Sequence, residues 1–201
     1  MSEANTAGLA LRARAYIQRV EAGIRALSTD TLAQLIEALL RAKAEQRTVF
    51  VFGNGGSSST ASHMASDLSK GVGGMPRLRA LSLTDNVPAF TAWANDTSYD
   101  QVFSEQLRTL ARPGDVAIAI TGSGNSPNVV NGVATAKALD MFVVGLLGFG
   151  GGKVASMVDL AIVVASDEYG PVEDIHLLIN HLVTTVMRES LAGGSAPHYQ
   201  G

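Results

Sequence analysis

The chain has 201 residues, 46% of them hydrophobic and 16% charged, and a net charge of −3. That length suits one domain rather than two, and the apolar content allows a sizeable core and excludes wholesale disorder. No basic block stands out, so direct nucleic-acid binding is not expected, and the absence of cysteine excludes a disulfide framework and thiol chemistry.

The first twenty residues carry no basic segment followed by an apolar core, so a signal peptide is not expected. No apolar run reaches the roughly 20 residues that span a bilayer, which makes a cytoplasmic protein the default expectation. Residues 8–27 place Leu9, Ala13, Ile17, Val20, Ile24 and Leu27 at helical spacing. Ser28 and Thr29 are caps for a second helix, roughly 30–46, with Leu32, Leu35, Ile36, Leu39 and Leu40 on one face. Two amphipathic helices ahead of the first strand exceed what a minimal α/β sandwich needs. Their apolar faces either pack on another subunit or cover this chain's own sheet.

Residues 48–52, TVFVF, read as a buried strand of a parallel sheet. Gly53-Asn54-Gly55-Gly56 breaks that strand, and Ser57-Ser58-Ser59-Thr60 opens a helix. Glycines let the backbone approach closely, and a helix start offers unpaired N–H groups at the positive end of its dipole, so this turn suits an anion such as phosphate. The dinucleotide fingerprint would need glycine where Ser58 stands, and the nucleoside-triphosphate loop needs a lysine at its end, whereas none follows these glycines until Lys70. A small phosphorylated molecule held by Ser57, its neighbouring hydroxyls and backbone N–H groups remains. A glycine-rich turn that binds nothing is the alternative.

A strand follows near 79–83, then a short helical piece capped by Thr84-Asp85-Asn86, an irregular polar stretch at 94–97, and an amphipathic helix over 99–111. The buried strand 116–120 ends in Thr121-Gly122-Ser123-Gly124-Asn125-Ser126-Pro127, repeating the strand–turn–helix design of the first loop. Two such loops at the carboxyl edge of one parallel sheet could hold both ends of a sugar phosphate. A helix to about 139, strands at 141–147 and 160–164 and a final helix over 172–191 complete a five-stranded βα alternation, with a flexible tail at 192–201.

His63 and Asp67 lie four apart and share one helix face, and Glu173, Asp174, His176 and His181 cluster on the last helix. Imidazole and carboxylate can hold a divalent metal such as zinc, although such a pair is also an ordinary solvated contact. Glu173 and His181 stand eight residues apart, about 12 Å along a helix at roughly 1.5 Å per residue. One metal could take both only if Glu173 precedes the first turn or different subunits supply them.

Four segments carry a resemblance: GNGGSSSTASH at 53–63, AWANDTSYDQVFSEQL at 92–107, RPGDVAIAITGSGNSPNVV at 112–130 and VEDIH at 172–176. They resemble the phosphoheptose isomerases of the sugar-isomerase (SIS) domain proteins, over about residues 10–190. The resemblance implies an α/β fold, a three-layer SIS sandwich with a five-stranded parallel sheet flanked by helices. One SIS domain would span 1–191, with an N-terminal helical pair at 1–46 and the sandwich at 47–191. It also implies a homotetramer with active sites between subunits, interconverting sedoheptulose 7-phosphate and D-glycero-D-manno-heptose 7-phosphate. Carried over by position, Asn54, Gly55, Gly56, Asn95 and Asp96 would contact substrate, and Thr121, Gly122, Ser123 and Ser126 form the phosphate loop. The zinc ligands would fall on His63, Asp67, Glu173 and His181, with Asp67 the base and His181 its partner; Glu173 would also face substrate.

Two ligand positions depart from the family: Asp67 stands for glutamate and Glu173 for glutamine, while Gly122 replaces a hydroxyl residue. Aspartate is one methylene shorter, and a displacement on the order of 1 Å can lower a rate about 100-fold. Glu173 would tighten a divalent cation but oppose an anionic intermediate. The alternative is a non-catalytic SIS scaffold that binds a sugar phosphate or, like one tetrameric member, the bacterial replication initiator. A phosphosugar-sensing regulator is a third reading, without an attached DNA-binding module.

Overall fold

The structure, a computed structural model, describes residues 3–192, with side chains from residue 5 onward; the expected tail from residue 193 lies outside the described residues. Five parallel strands, β1 (Thr48–Gly53), β2 (Arg79–Ser82), β3 (Val116–Thr121), β4 (Phe142–Leu147) and β5 (Leu160–Val163), form one sheet in the order β2-β1-β3-β4-β5. The chain builds outward from β1 to β2, then crosses back to lay β3 on the other side of β1. The carboxyl ends of β1 and β3 therefore flank the switch point of the sheet, where a crevice opens in folds of this kind.

The apolar runs form central strands because both of their faces are covered. Every residue of β1 and of β3 is buried. Val49, Val51, Ile118, Ile120, Val144 and Leu146 pack beneath α2 (Thr29–Ala44), α3 (Gly56–Ser66) and α7 (Tyr169–Leu191). Phe50, Phe52, Ala117, Ala119, Val143 and Leu147 pack beneath α5 (Val102–Leu110) and α6 (Pro127–Ala138). Each of these valine, leucine, isoleucine and phenylalanine side chains contributes about 1.5–3 kcal/mol relative to exposure.

The two leading helices divide the alternatives between them. Leu32, Leu35, Ile36 and Leu39 of α2 are buried against this chain's own sheet. The longer α1 (Glu3–Arg25) packs on α7 through its second half, whereas Leu9, Leu11 and Ile17 are exposed. Two expected boundaries move. The stretch expected to be irregular at 94–97 continues α4 (Val87–Asp96), because Phe90 and Trp93 pack against the core and override the weak propensity of Asn95 and Asp96. The last helix starts at Tyr169 rather than 172, since Pro171 is tolerated in a first turn, where no intrahelical N–H is needed.

Candidate active site

Two helix starts converge at the switch point. Gly55 adopts φ +54°, ψ −125°, a conformation open to glycine, and turns β1 into α3. No side chain caps α3 there, and Ser126 makes no cap hydrogen bond at the start of α6. α3 thus keeps orphan N–H groups at Gly56 and Ser57, whereas α6, which begins with Pro127 and whose Val129 N–H donates to Asn128 Oδ1 (3.0 Å), keeps only that of Asn128. Between these starts lies a cleft of about 210 Å³, lined by Asn54, Gly55, Gly56, Ser57, Ile120, Thr121, Gly122, Ser123, Ser126, Tyr169 and Glu173. The second loop is braced from within: the Gly124 N–H donates to Thr121 Oγ1 (3.2 Å) and the Asn125 N–H to Ser123 Oγ (3.3 Å). Gly56 has no room for a Cβ, because the Glu173 carboxylate lies against it.

Asn54 ties the loops together. Its Nδ2 donates to Asn128 Oδ1 (2.9 Å), Asn128 Nδ2 donates back to Asn54 Oδ1 (2.8 Å), and the Tyr99 hydroxyl donates to the same Oδ1 (3.0 Å). Beyond Asn54 a second cavity of about 240 Å³ is lined by Gly53, Gly55, Ser58, Thr84, Val87, Phe90 and Tyr99. Asn95 and Asp96 do not join either cavity. They are exposed at the end of α4, Asn95 Nδ2 donating to Asp96 Oδ1 (2.8 Å).

Further along the same pair of helices stands the ionisable group. Asp67 begins a π-helical turn (Asp67–Gly71) that continues α3, one turn after His63. Its Oδ2 is 3.3 Å from His63 Nε2 and 3.9 Å from His181 Nε2, and the two imidazole nitrogens are 3.4 Å apart. This triangle of two nitrogens and one carboxylate oxygen, half-exposed, is a group able to hold a metal ion. Glu173 is not part of it. Since α7 begins at Tyr169, Glu173 stands in its second turn, about 12 Å from His181 at roughly 1.5 Å per residue. Within one chain the expected four-residue metal set therefore divides, three ligands at one place and Glu173 in the cleft.

The remaining ionisable groups of α7 turn elsewhere. Asp174 accepts a hydrogen bond from the Tyr16 hydroxyl (2.5 Å), which raises the tyrosine's pKa. His176 is wholly buried with Nε2 3.2 Å from the Leu147 carbonyl, and burial pushes it down to about 4 against that hydrogen bond.

A family model for the SIS domain matches residues 14–148. The chain belongs to the SIS-domain family. Within that family it is similar to the phosphoheptose isomerase of Paramagnetospirillum magneticum, 39% identical over 149 residues, covering 74% of this chain and 78% of that one. The Helicobacter pylori phosphoheptose isomerase is 34% identical over 180 residues, covering 89% and 93%. The solved phosphoheptose isomerase from Neisseria gonorrhoeae superposes with a TM-score of 0.83 at 31% identity, covering 90% of this chain and 97% of that structure.

The SIS match takes in both loops, His63 and Asp67, and stops before α7. In this SIS domain several site residues escape a reading of the sequence: Asn128, Tyr99, Tyr169 and Asn180, whose Nδ2 donates to Asp67 Oδ2 (2.8 Å). Asn128 and Asn180 leave a fainter signal, a carboxamide among largely apolar buried positions, which on α7 also include His176 and Thr184.

Proposed function

We propose that this SIS-domain isomerase interconverts sedoheptulose 7-phosphate and D-glycero-D-manno-heptose 7-phosphate. One observation carries the reading: an anion-type cleft at the starts of α3 and α6, and a His/Asp group farther along α3 and α7. From Gly56 to His63 is seven residues of helix, about 10 Å at roughly 1.5 Å per residue, a span comparable to an extended seven-carbon sugar phosphate.

The phosphate would sit on Ser57, Thr121, Ser123, Ser126 and the free N–H groups at the start of α3, with Asn54, Gly55, Gly56 and Gly122 shaping the wall. Glu173 and Tyr169, on the opposite side, would receive sugar hydroxyls. Asp67 would take the proton from the carbon beside the carbonyl and return it to the neighbouring carbon, with His181 moving the hydroxyl proton. Oδ2 of Asp67 is turned to the imidazoles and Asn180, and Oδ1 makes none of these contacts. Asn95 and Asp96 would reach substrate only from a neighbouring subunit.

Zinc is the metal the donor set favours. Tetrahedral bonds of roughly 2.0–2.1 Å would put ligand atoms about 3.3 Å apart, close to the 3.3 and 3.4 Å separations made by His63, while the Asp67–His181 separation of 3.9 Å would have to shorten. When bound, it would supply Lewis acidity toward the reacting carbonyl oxygen. A homotetramer with shared sites is consistent with the exposed Leu9, Leu11 and Ile17 of α1, and with a Glu173 that could reach a metal only across a subunit boundary. Among the described residues no helix is long and apolar enough to cross a membrane, and a cytoplasmic setting suits a phosphorylated substrate.

Incubation with sedoheptulose 7-phosphate, with and without zinc, followed by NMR, is the test. The aldose phosphate is expected to appear; no turnover in either condition rejects this substrate. The relatives' names favour the enzyme over a replication-initiator scaffold, which would have no use for converging imidazoles and a carboxylate.

A further inference from the structure

Asn180 has no solvent exposure, yet it lies on α7 between His176 and Thr184, with Ile179 and Val183 in the core on either side in sequence. A carboxamide in such a place is unfavourable unless its polar atoms are paired. Asn180 is only half paired: Nδ2 donates to Asp67 Oδ2 at 2.8 Å, while Oδ1 is buried without a hydrogen-bond partner among the described residues. A leucine, of the same branching though larger, would need no hydrogen-bond partner there, so pairing within the fold does not by itself call for an amide. What the amide does provide is a charge-assisted bond to one carboxylate oxygen, of the stronger kind.

The direction of that bond matters. His63 and His181 approach Oδ2 from the half-exposed side of the helix pair, at 3.3 and 3.9 Å, and Asn180 approaches it from the core. Asp67 stands where α3 widens into a π-helical turn, so its backbone alone holds it less regularly than a residue within the helix. His176, one turn before Asn180 on α7, is anchored to the Leu147 carbonyl at the end of β4. The amide is therefore presented from a segment fixed to the sheet.

We propose that Asn180 is a positioning residue for Asp67: from the core it grips Oδ2, stops the short carboxylate from rotating, and aims it at the two imidazoles and the substrate. The inference rests on the isomerase reading, with Asp67 as the base. Partners of this type typically change activity by about 10–100-fold.

The experiment compares Asn180→Leu with wild type on sedoheptulose 7-phosphate. The expected result is a kcat lowered about 10–100-fold and a KM within about threefold, with any fall in Tm no more than the overpacking by a larger side chain brings. A role in packing alone would move Tm and leave kcat of the folded enzyme untouched. A kcat within twofold of wild type, or a rise in KM in place of the kcat loss, overturns the proposal. A second arm needs neither turnover nor a foldable leucine variant. In protein labelled with ¹⁵N-asparagine, the Asn180 side-chain protons, assigned from their loss in Asn180→Ser, should shift upfield in Asp67→Ala; unmoved signals overturn the proposal. Wild type inactive on this substrate instead rejects the substrate reading, and the NMR arm still decides whether Asn180 holds Asp67.

Discussion

The cleft and the His63–Asp67–His181 group share two helices, α3 and α7, but are made from different parts of the chain. The cleft is largely backbone: glycine turns, two uncapped helix starts and a few hydroxyls, braced by bonds such as Gly124 N–H to Thr121 Oγ1. The ionisable group is entirely side chain, assembled from helices more than a hundred residues apart in sequence and dependent on a few tenths of an ångström. Backbone sites for anions tolerate substitution, because each donor is one of several. Side-chain sites do not, because each atom has one place to be. Substitutions at the two regions should therefore fail in different ways.

The largest effect is expected at Asp67. Asp67→Ala removes the proposed base and should lower kcat about 10²–10⁴-fold with little change in KM. It also strands the buried Nδ2 of Asn180, so a melt should show roughly 1–3 kcal/mol of lost stability. A variant whose KM rises while kcat holds would place Asp67 in binding and erase the contrast between the regions.

The next effect belongs to the helix that carries both. His176 is neutral in the folded chain, with its pKa pushed to about 4 by burial, whereas unfolded histidine takes a proton near 6.5. Below pH 6.5 the unfolded state binds more protons, so stability is full above that pH and falls as pH drops toward 4. The loss is about 3 kcal/mol at roughly 1.36 kcal/mol per pKa unit. Denaturant melts from pH 7 to 4 should show it, and His176→Phe should flatten the difference. Loosening of α7 would reach Glu173 and His181 together. Asn128→Leu is the corresponding insult to the cleft: it strands Asn54 Nδ2, leaving Oδ1 with the Tyr99 hydroxyl, and should lower stability by about 1–3 kcal/mol and raise KM, with kcat nearly intact.

The same contrast explains what the sequence discloses. β1, β3 and the turns after them are legible because apolar runs ending in glycine and hydroxyl residues encode strand, turn and helix start locally. His63 and Asp67 are visible as an i, i+4 pair, but that His181 completes them while Glu173 does not follows only from where α7 begins and how it lies on α3. Asp174 and His176 look as available as His181 in a list of ionisable residues; Tyr16 and the Leu147 carbonyl claim them instead. Asn180 and Asn128 are harder still. A carboxamide at a buried helix position weakens the amphipathic pattern slightly, and its partner lies 113 residues away for Asn180 and 74 for Asn128.

The smallest effect should come from Ser126, and it sharpens the contrast most. A serine at a helix start ordinarily caps it, and replacing such a cap by alanine lowers stability by about 1 kcal/mol. Ser126 precedes Pro127 at the start of α6, but its hydroxyl makes no cap hydrogen bond and lines the cleft instead. Ser126→Ala should accordingly leave the Tm unchanged while weakening inhibition by inorganic phosphate about tenfold, the low end of the roughly 1.5–3 kcal/mol of a hydrogen bond to a charged group. Substrate KM should rise by a similar factor and kcat should hold, since the reacting carbons lie toward Asp67. A fall in Tm with phosphate inhibition unaltered would mean that the hydroxyl serves the helix rather than the ligand, and the cleft would then rest on Ser57, Thr121, Ser123 and backbone N–H groups.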